Sequence, residues 1–262
     1  MTAGPGLRGR GAGSQTIAAV ERAADVLAAF TDHASLGVTE LATRLALSKA
    51  VVHRTLASLR TRGFVDLEES TRRYTLGPAA LALGLSYLQR IDVRDPARAV
   101  LRGLSDATGE TATLSVRRGH VRMYIEQVTP AREVHMTVRL GLPYPLHAGA
   151  SSKCFLAFLS DDARVEYLAG HLASLTPRTV TDPAPLGRQL DGIRRRGYAV
   201  SFGERQEGAG SVAAPILDHE QLPVAVVSVC GPADRFRREV ERIAPLLLEA
   251  TAGLSRRFGA RI

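Results

Sequence analysis

The stretch from Val38 to Leu76, VTELATRLALSKAVVHRTLASLRTRGFVDLEESTRRYTL, narrows the possible folds more than any other part of this chain. Leu41 and Leu45 stand four apart, which gives a first helix one apolar face and turns Glu40 and Arg44 outward. Ser48 suits an N-cap, because its hydroxyl can accept from an otherwise unpaired backbone N–H. Val52, Leu56 and Leu59 then recur at helical spacing, leaving Lys49, Val51, His53 and Arg54 off the core or at its edge. Gly63, after the basic turn Arg60-Thr61-Arg62, ends the second helix. Phe64–Leu67 and Arg73–Leu76 alternate apolar with polar around a polar tip at Glu68–Arg72, so a β-hairpin follows.

Two short helices across a tight turn, the second with a basic N-terminal half, match what a DNA major groove admits. The adjacent hairpin makes this a winged helix-turn-helix. The expected DNA contacts are Ser48, Lys49, Val51, His53 and Arg54 from the second helix and Arg72 and Arg73 from the wing. Arg54 suits a guanine edge and Lys49 a phosphate, while His53 fits a DNA contact or a helix-packed histidine equally. A net charge of +8 over 262 residues agrees with a polyanionic partner. The charge is mildly concentrated: residues 1–90 hold 11 basic and 7 acidic side chains, and the longer remainder holds 23 and 19.

Before the motif, the Gly-rich residues 1–13 read as a disordered arm. Its Arg8 and Arg10 suit phosphate contacts or a solvated tail. Ser14 or Thr16 can cap a support helix reaching Phe30, so residues 14–77 form the winged domain. Pro78 sits well in the first turn of an Ala/Leu-rich helix to Gln89, and residues 78–92 form a linker helix. Its apolar surface calls for a partner, of which a second copy is the simplest. Residues 93–262 then form the second domain. A helix over 96–108 leads to strands at 110–116, 121–128 and 134–139. Helices follow at 153–159, 163–169 and 186–196, then strands at 198–202, 211–217 and 223–229, and a closing helix at 235–258. Antiparallel strands with helices at both ends make an α+β sensor module. No run approaches the roughly 18 apolar residues of a membrane span. The N-terminus lacks the apolar core of a secretory signal. Cys154 and Cys230, far apart, make neither a disulfide framework nor a metal cluster and fit a reducing cytoplasm.

The chain resembles the IclR family of bacterial transcription regulators along nearly its whole length. In the DNA-binding part the likeness rests on Leu41-Ala42, Lys49, Val52, His53-Arg54, Leu56, Leu59, Gly63-Phe64 and Arg73-Tyr74-Thr75-Leu76-Gly77. In the second domain it rests on Pro145-Leu146-His147, Lys153 to Ala157, Arg196-Gly197-Tyr198-Ala199, Glu204, Val212 to Pro215 and Ser228 to Pro232 with Arg235. The resemblance implies a winged helix-turn-helix joined by a linker helix to a GAF/PAS-like effector-binding domain. It also implies a homodimer or dimer of dimers on a palindromic operator, repression of catabolic genes, a small organic or aromatic acid as effector, and no cofactor. The family's ligand-lining positions map onto His135, Gly149, Ala150, Ser201, Ser211, Ser228 and Cys230. Ser152 replaces a usual Gly, Ser201 a frequent Asp and Ser211 a frequent Cys, which implies a more neutral pocket. Ala50 and Val51 stand where small hydroxyl residues are common, which exchanges hydrogen-bonding readout for apolar contact.

From the residues themselves, Gly149–Ser152 ahead of a helix offers backbone N–H groups to a carboxylate without a cation in contact. The serines suit ligand contacts or backbone bonding equally. Lys153 is expected to face water, and Met123, Tyr124 and Phe202 to belong to the core. Ser151, His147 and Asp161 lie close in sequence but lack a G-x-S-x-G elbow, so catalysis is not expected. Two other readings stay open: a thiol redox sensor using Cys154 or Cys230, and a DNA-binding dimer without ligand control.

Overall fold

The computed structural model describes residues 17–89 and 93–261, which divide into two compact units at Arg90/Ile91. The arm over 1–13, the proposed caps Ser14 and Thr16, and the linker's end at 90–92 lie outside the described residues.

The first unit contains α1 (Ala18–Ala29), a 3₁₀ turn (Phe30–Asp32), α2 (Val38–Leu45), α3 (Lys49–Thr61), β1 (Val65–Glu68), β2 (Arg73–Leu76) and α4 (Pro78–Gln89). Val26, Leu41, Val52, Leu56, Leu59, Val65 and Tyr74 bury together, so the helical spacing of the leucines is what makes one core of three helices and a wing. The turn between α2 and α3 is closed by Ala46 in the left-handed region, with φ 53°, its N–H bonding to the Ala42 carbonyl. Glu40 does not simply point outward: its Oε2 accepts from the Gly37 N–H at 2.8 Å and caps α2. The hairpin pairs Val65 with Leu76 and Glu68 with Arg73, and Leu36 extends it through two 2.9 Å bonds with the backbone of Tyr74.

The second unit begins with α5 (Arg94–Thr108), β3 (Thr111–Arg118), β4 (Val121–Val128), β5 (Tyr144–Pro145), α6 (Ala150–Phe158) and α7 (Asp161–Leu168). It continues with α8 (Pro183–Arg196), β6 (Ala199–Phe202), β7 (Ala209–Leu217), β8 (Pro223–Pro232), α9 (Ala233–Phe236) and α10 (Val240–Arg257). The six strands form one sheet in the order β5-β4-β3-β8-β7-β6 with antiparallel neighbours. Consecutive residues of β3, β7 and β8 are buried, so both faces of the sheet are covered. α6 packs on the face carrying Ala213 and Val226, with α8 behind it through Leu186, Leu190 and Ile193. α5 and α10 pack on each other and on β3, β7 and β8.

Three expectations are corrected. Residues 134–139 are not a strand. The Gln127 side chain bonds both the N–H and the carbonyl of Val138, at 3.0 and 3.1 Å, and so takes the place of a strand partner. α6 starts at Ala150 rather than Lys153, capped by Gly149 at φ 91°, so the supposed loop Gly149–Ser152 is the helix's own first turn. The closing helix is interrupted at 237–239, leaving α9 and α10.

Candidate functional site

Two sites emerge, one in each unit. In the first, Ser48 caps α3 by accepting from the Val51 N–H at 3.3 Å, and Lys49, Ala50, His53 and Arg54 lie exposed on the face opposite Val52 and Leu56. Val51 is half-buried at the edge of that face. Arg72, at the wing tip in the left-handed region with φ 56°, is exposed and pairs with Glu69 at 2.8 Å. Arg73 behaves differently. Its Nε donates to Ser35 Oγ at 2.8 Å, and one Nη donates to the Ser35 carbonyl and to Glu40 Oε2 at 3.0 and 2.8 Å. The guanidinium therefore clasps the start of α2 to β2 instead of reaching out with Arg72. The Gly37 N–H and then Arg73 hold the Glu40 carboxyl below the usual carboxylate range.

In the second unit a pocket opens at the N-terminus of α6, against one row of the sheet. Ser201 on β6 sits opposite Ser211 on β7, and Ser211 opposite Cys230 on β8, so directly paired positions place three small side chains on one face. Gly149 and Ala150 lie at the same cavity, as do Arg122, Tyr124, Glu204 and Arg205. Arg122 and Tyr124 are two apart on β4 and so share a face. Arg122 is 1% exposed. It donates from Nε to Ser152 Oγ at 2.8 Å, from Nη1 to Ser115 Oγ at 3.3 Å and from Nη2 to the Tyr124 hydroxyl at 3.1 Å.

The surrounding charges are unevenly matched. Lys153, 3% exposed, donates from Nζ to Glu204 Oε1 and to Gln189 Oε1, the latter at 3.1 Å; Glu204 Oε2 also accepts from the Gly149 N–H at 3.2 Å. That pair is closed within the fold. Among the described residues the guanidinium of Arg122 bonds only hydroxyls, and its nearest charged neighbour at the cavity is the like-charged Arg205. Burial lowers the pKa of both Arg122 and Lys153 from the ordinary values. The guanidinium of Arg122 lies 4.1 Å from the ring centre of Tyr124 and 5.1 Å from that of Tyr144; that of Arg205 lies at 5.8 and 5.1 Å from the same rings.

The domain described as IclR helix-turn-helix matches residues 19–69, and that described as bacterial transcriptional regulator IclR C-terminal matches residues 85–256. The chain belongs to the IclR family. Among similar proteins, the glycerol operon regulatory protein of Streptomyces griseus is 34% identical over 94% of this chain and 98% of its own length. The transcriptional repressor IclR of Escherichia coli is 29% identical over 86% of this chain and 84% of its own. The Thermotoga maritima IclR crystal structure superposes with a TM-score of 0.78 at 33% identity, covering 92% of this chain and 98% of that one. An IclR homolog from Microbacterium hydrocarbonoxydans, crystallised with 4-hydroxybenzoate, superposes with a TM-score of 0.80 at 25% identity, covering 91% and 98%. IclR members are transcriptional regulators and not enzymes, and the effector-type C-terminal domain is present here with its DNA-binding domain.

Measured against the IclR ligand positions, Gly149, Ala150, Ser201, Ser211 and Cys230 meet at the pocket. Two do not. Ser228 is 1% exposed and shares hydrogen bonds with Thr113 Oγ1 at 2.6 Å and Ser151 Oγ at 2.9 Å, which anchor α6 to the sheet. His135 bonds the Arg132 carbonyl at 2.7 Å, off the pocket lining. The expected neutral, cation-free pocket is likewise corrected. Arg122 and Arg205 escaped sequence reading because a charged residue in an alternating strand or a loop normally faces water; the i, i+2 spacing of Arg122 and Tyr124 was the available signal. Lys153 is buried rather than solvated, since its glutamate arrives from 51 residues away. Tyr124 lines the pocket, whereas Phe202 stacks under Arg237 at 4.2 Å. No described helix is long and apolar enough to cross a membrane.

Proposed function

We propose that this IclR-family regulator represses catabolic genes from a palindromic operator in the cytoplasm and that a small organic acid in the β-sheet pocket controls it. The cap Ser48 and, on α3, Lys49, Val51, His53 and Arg54 would face the major groove, with Arg72 reaching the backbone from the wing. Arg73 drops out of this set because Ser35 and Glu40 already hold it. Exposed Leu81, Leu83 and Leu85 on α4 favour a homodimer, or a dimer of dimers, with that helix at a subunit contact. The glycerol operon regulator of S. griseus and the 4-hydroxybenzoate complex of the M. hydrocarbonoxydans homolog support a catabolic target and an acid ligand.

The observation that carries the effector reading is the buried guanidinium of Arg122, which lies beside the like-charged Arg205 and among the described residues bonds two serines and a tyrosine and no carboxylate, since a buried charge without a counter-ion is costly until one arrives. Thiol sensing is disfavoured: burial pushes the Cys230 thiol up to about 11 and that of Cys154 higher still, away from the reactive thiolate. An acid that binds one of two arrangements better shifts operator affinity by that difference, commonly about 1–3 kcal/mol. The test is an operator titration at fixed salt, with and without an acid found by thermal shift. Unchanged operator affinity at saturating acid refutes effector control. For DNA reading, Arg54→Ala should lose about 1–3 kcal/mol of discrimination at one base pair. Uniform loss across all operator variants would demote Arg54 to a phosphate contact.

A further inference from the structure

The charge balance of the pocket says more about its ligand than that it is an acid. Arg122 has five N–H groups and uses three of them on Ser152, Ser115 and Tyr124, so two remain among the described residues. Arg205, half-buried at the same cavity, is held against the two tyrosine rings. Two guanidiniums therefore face one small cavity, and the neighbouring Lys153–Glu204 pair, already closed on itself, cancels neither. The rings of Tyr124 and Tyr144 pack edge to face at 5.7 Å and already carry the two cations, which leaves little ring surface for stacking an aromatic ligand.

We infer that the pocket selects a short aliphatic dicarboxylate, with one carboxylate on Arg122 and the α6 N-terminus and the other on Arg205. This rests on the effector reading above, and it assigns Arg122 and Arg205 as specificity residues. Guanidinium and carboxylate form strong charge-assisted pairs, and each diacid carboxylate would meet its own cation, whereas a monoacid leaves one unpaired.

The experiment is calorimetric titration of the full chain, at fixed ionic strength and pH, with malonate, succinate and glutarate. Propionate and butyrate serve as matched monoacids, with 4-hydroxybenzoate and inorganic phosphate alongside. A second charge-assisted bond corresponds to about tenfold to a hundredfold in affinity, so at least one diacid should exceed its matched monoacid by that factor. R205Q should lower diacid affinity until it is close to that of the matched monoacid. Because Arg122 is part of the core and R122Q can fail to fold, R205Q, checked by circular dichroism, carries the test. Equal binding of diacids and monoacids, or tighter binding of 4-hydroxybenzoate or phosphate than of any diacid, overturns the inference and leaves the effector reading standing. So does an undiminished diacid preference in R205Q. If no acid of any class binds while the protein still binds its operator, both readings fail.

Discussion

Replacing Glu204 with Gln breaks one buried ion pair. Lys153 and Glu204 are 3% and 8% exposed, and Gln189 is the other side-chain oxygen bonded to the ammonium. Glutamine keeps one oxygen, enough for the Gly149 N–H, so the substitution removes the negative charge together with the acceptor that faces Lys153. Breaking a buried pair by neutralising one member costs about 3–5 kcal/mol, because the remaining charge stays desolvated. For a unit of this size that corresponds to a fall in melting temperature of about 6–20 °C, at about 2–4 °C per kcal/mol. The double variant Lys153→Met/Glu204→Gln should recover most of the loss, since no bare charge is left. The pH dependence follows from the direction of the lysine shift. Burial lowers the Lys153 pKa in the fold, so between that lowered value and the ordinary lysine value the unfolded chain binds more protons. Stability contributed at this site therefore rises with pH through that window, more steeply in Glu204→Gln, which lacks the glutamate that raises the pKa. Scanning calorimetry of the transition of the second unit measures both effects. A Glu204→Gln melting temperature within 2 °C of the parent, or no recovery in the double variant, would refute an ion pair of structural weight, with 2 °C being about the shift for only 1 kcal/mol.

Three shorter predictions concern the other sites. Arg72→Ala should weaken binding to all DNA sequences alike and reduce the salt slope by about one. Arg73→Ala should lower the melting temperature of the winged unit instead; the reverse pattern would show that Arg73 meets DNA. Glu40, with its pKa lowered by the Gly37 N–H and Arg73, stabilises the winged unit above the ordinary carboxylate value and loses that contribution as pH falls through its lowered value. Acid melting profiles should show this loss in the parent and not in Glu40→Gln. Neither Cys154 nor Cys230 should form a sulfenic acid with peroxide at neutral pH in the folded protein, as followed by mass spectrometry; rapid modification of either would restore the redox reading.

What could be read from the sequence was whatever neighbours in sequence decide. The stripe Val52, Leu56, Leu59 and the cap at Ser48 depend on contacts within one or two turns, and α3 has the core and the cap they specify. The hairpin tip and its pairing were legible for the same reason. Apart from the start of α6 and the break at 237–239, the failures involve partners outside the element itself. Arg73 reads as a wing cation until Ser35 and Glu40, 38 and 33 residues away, are folded beside it. Residues 134–139 alternate like a strand, but Gln127 satisfies Val138 with a side chain, and no period in the sequence encodes that substitution.

The serines show how far residue type alone can take a site. Ser201 and Ser211 face each other across adjacent strands, so the sheet register makes them one surface. Ser228 is two residues before Cys230 on the same face, yet Thr113 and Ser151 consume its hydroxyl. Position on a strand fixes which face a serine shares; the hydroxyls packed against it fix whether it is left for a ligand. The consequence reaches past the pocket. Ser151 bonds the sheet and Ser152 bonds Arg122, so the first turn of α6 holds both the core and a cation that lines the cavity. An acid bound as proposed would meet a guanidinium that Ser152 already holds in place. The proposed ligand site and the seat of α6 thus share one side chain, so an acid drawn to Arg122 would act on a group that also holds the helix.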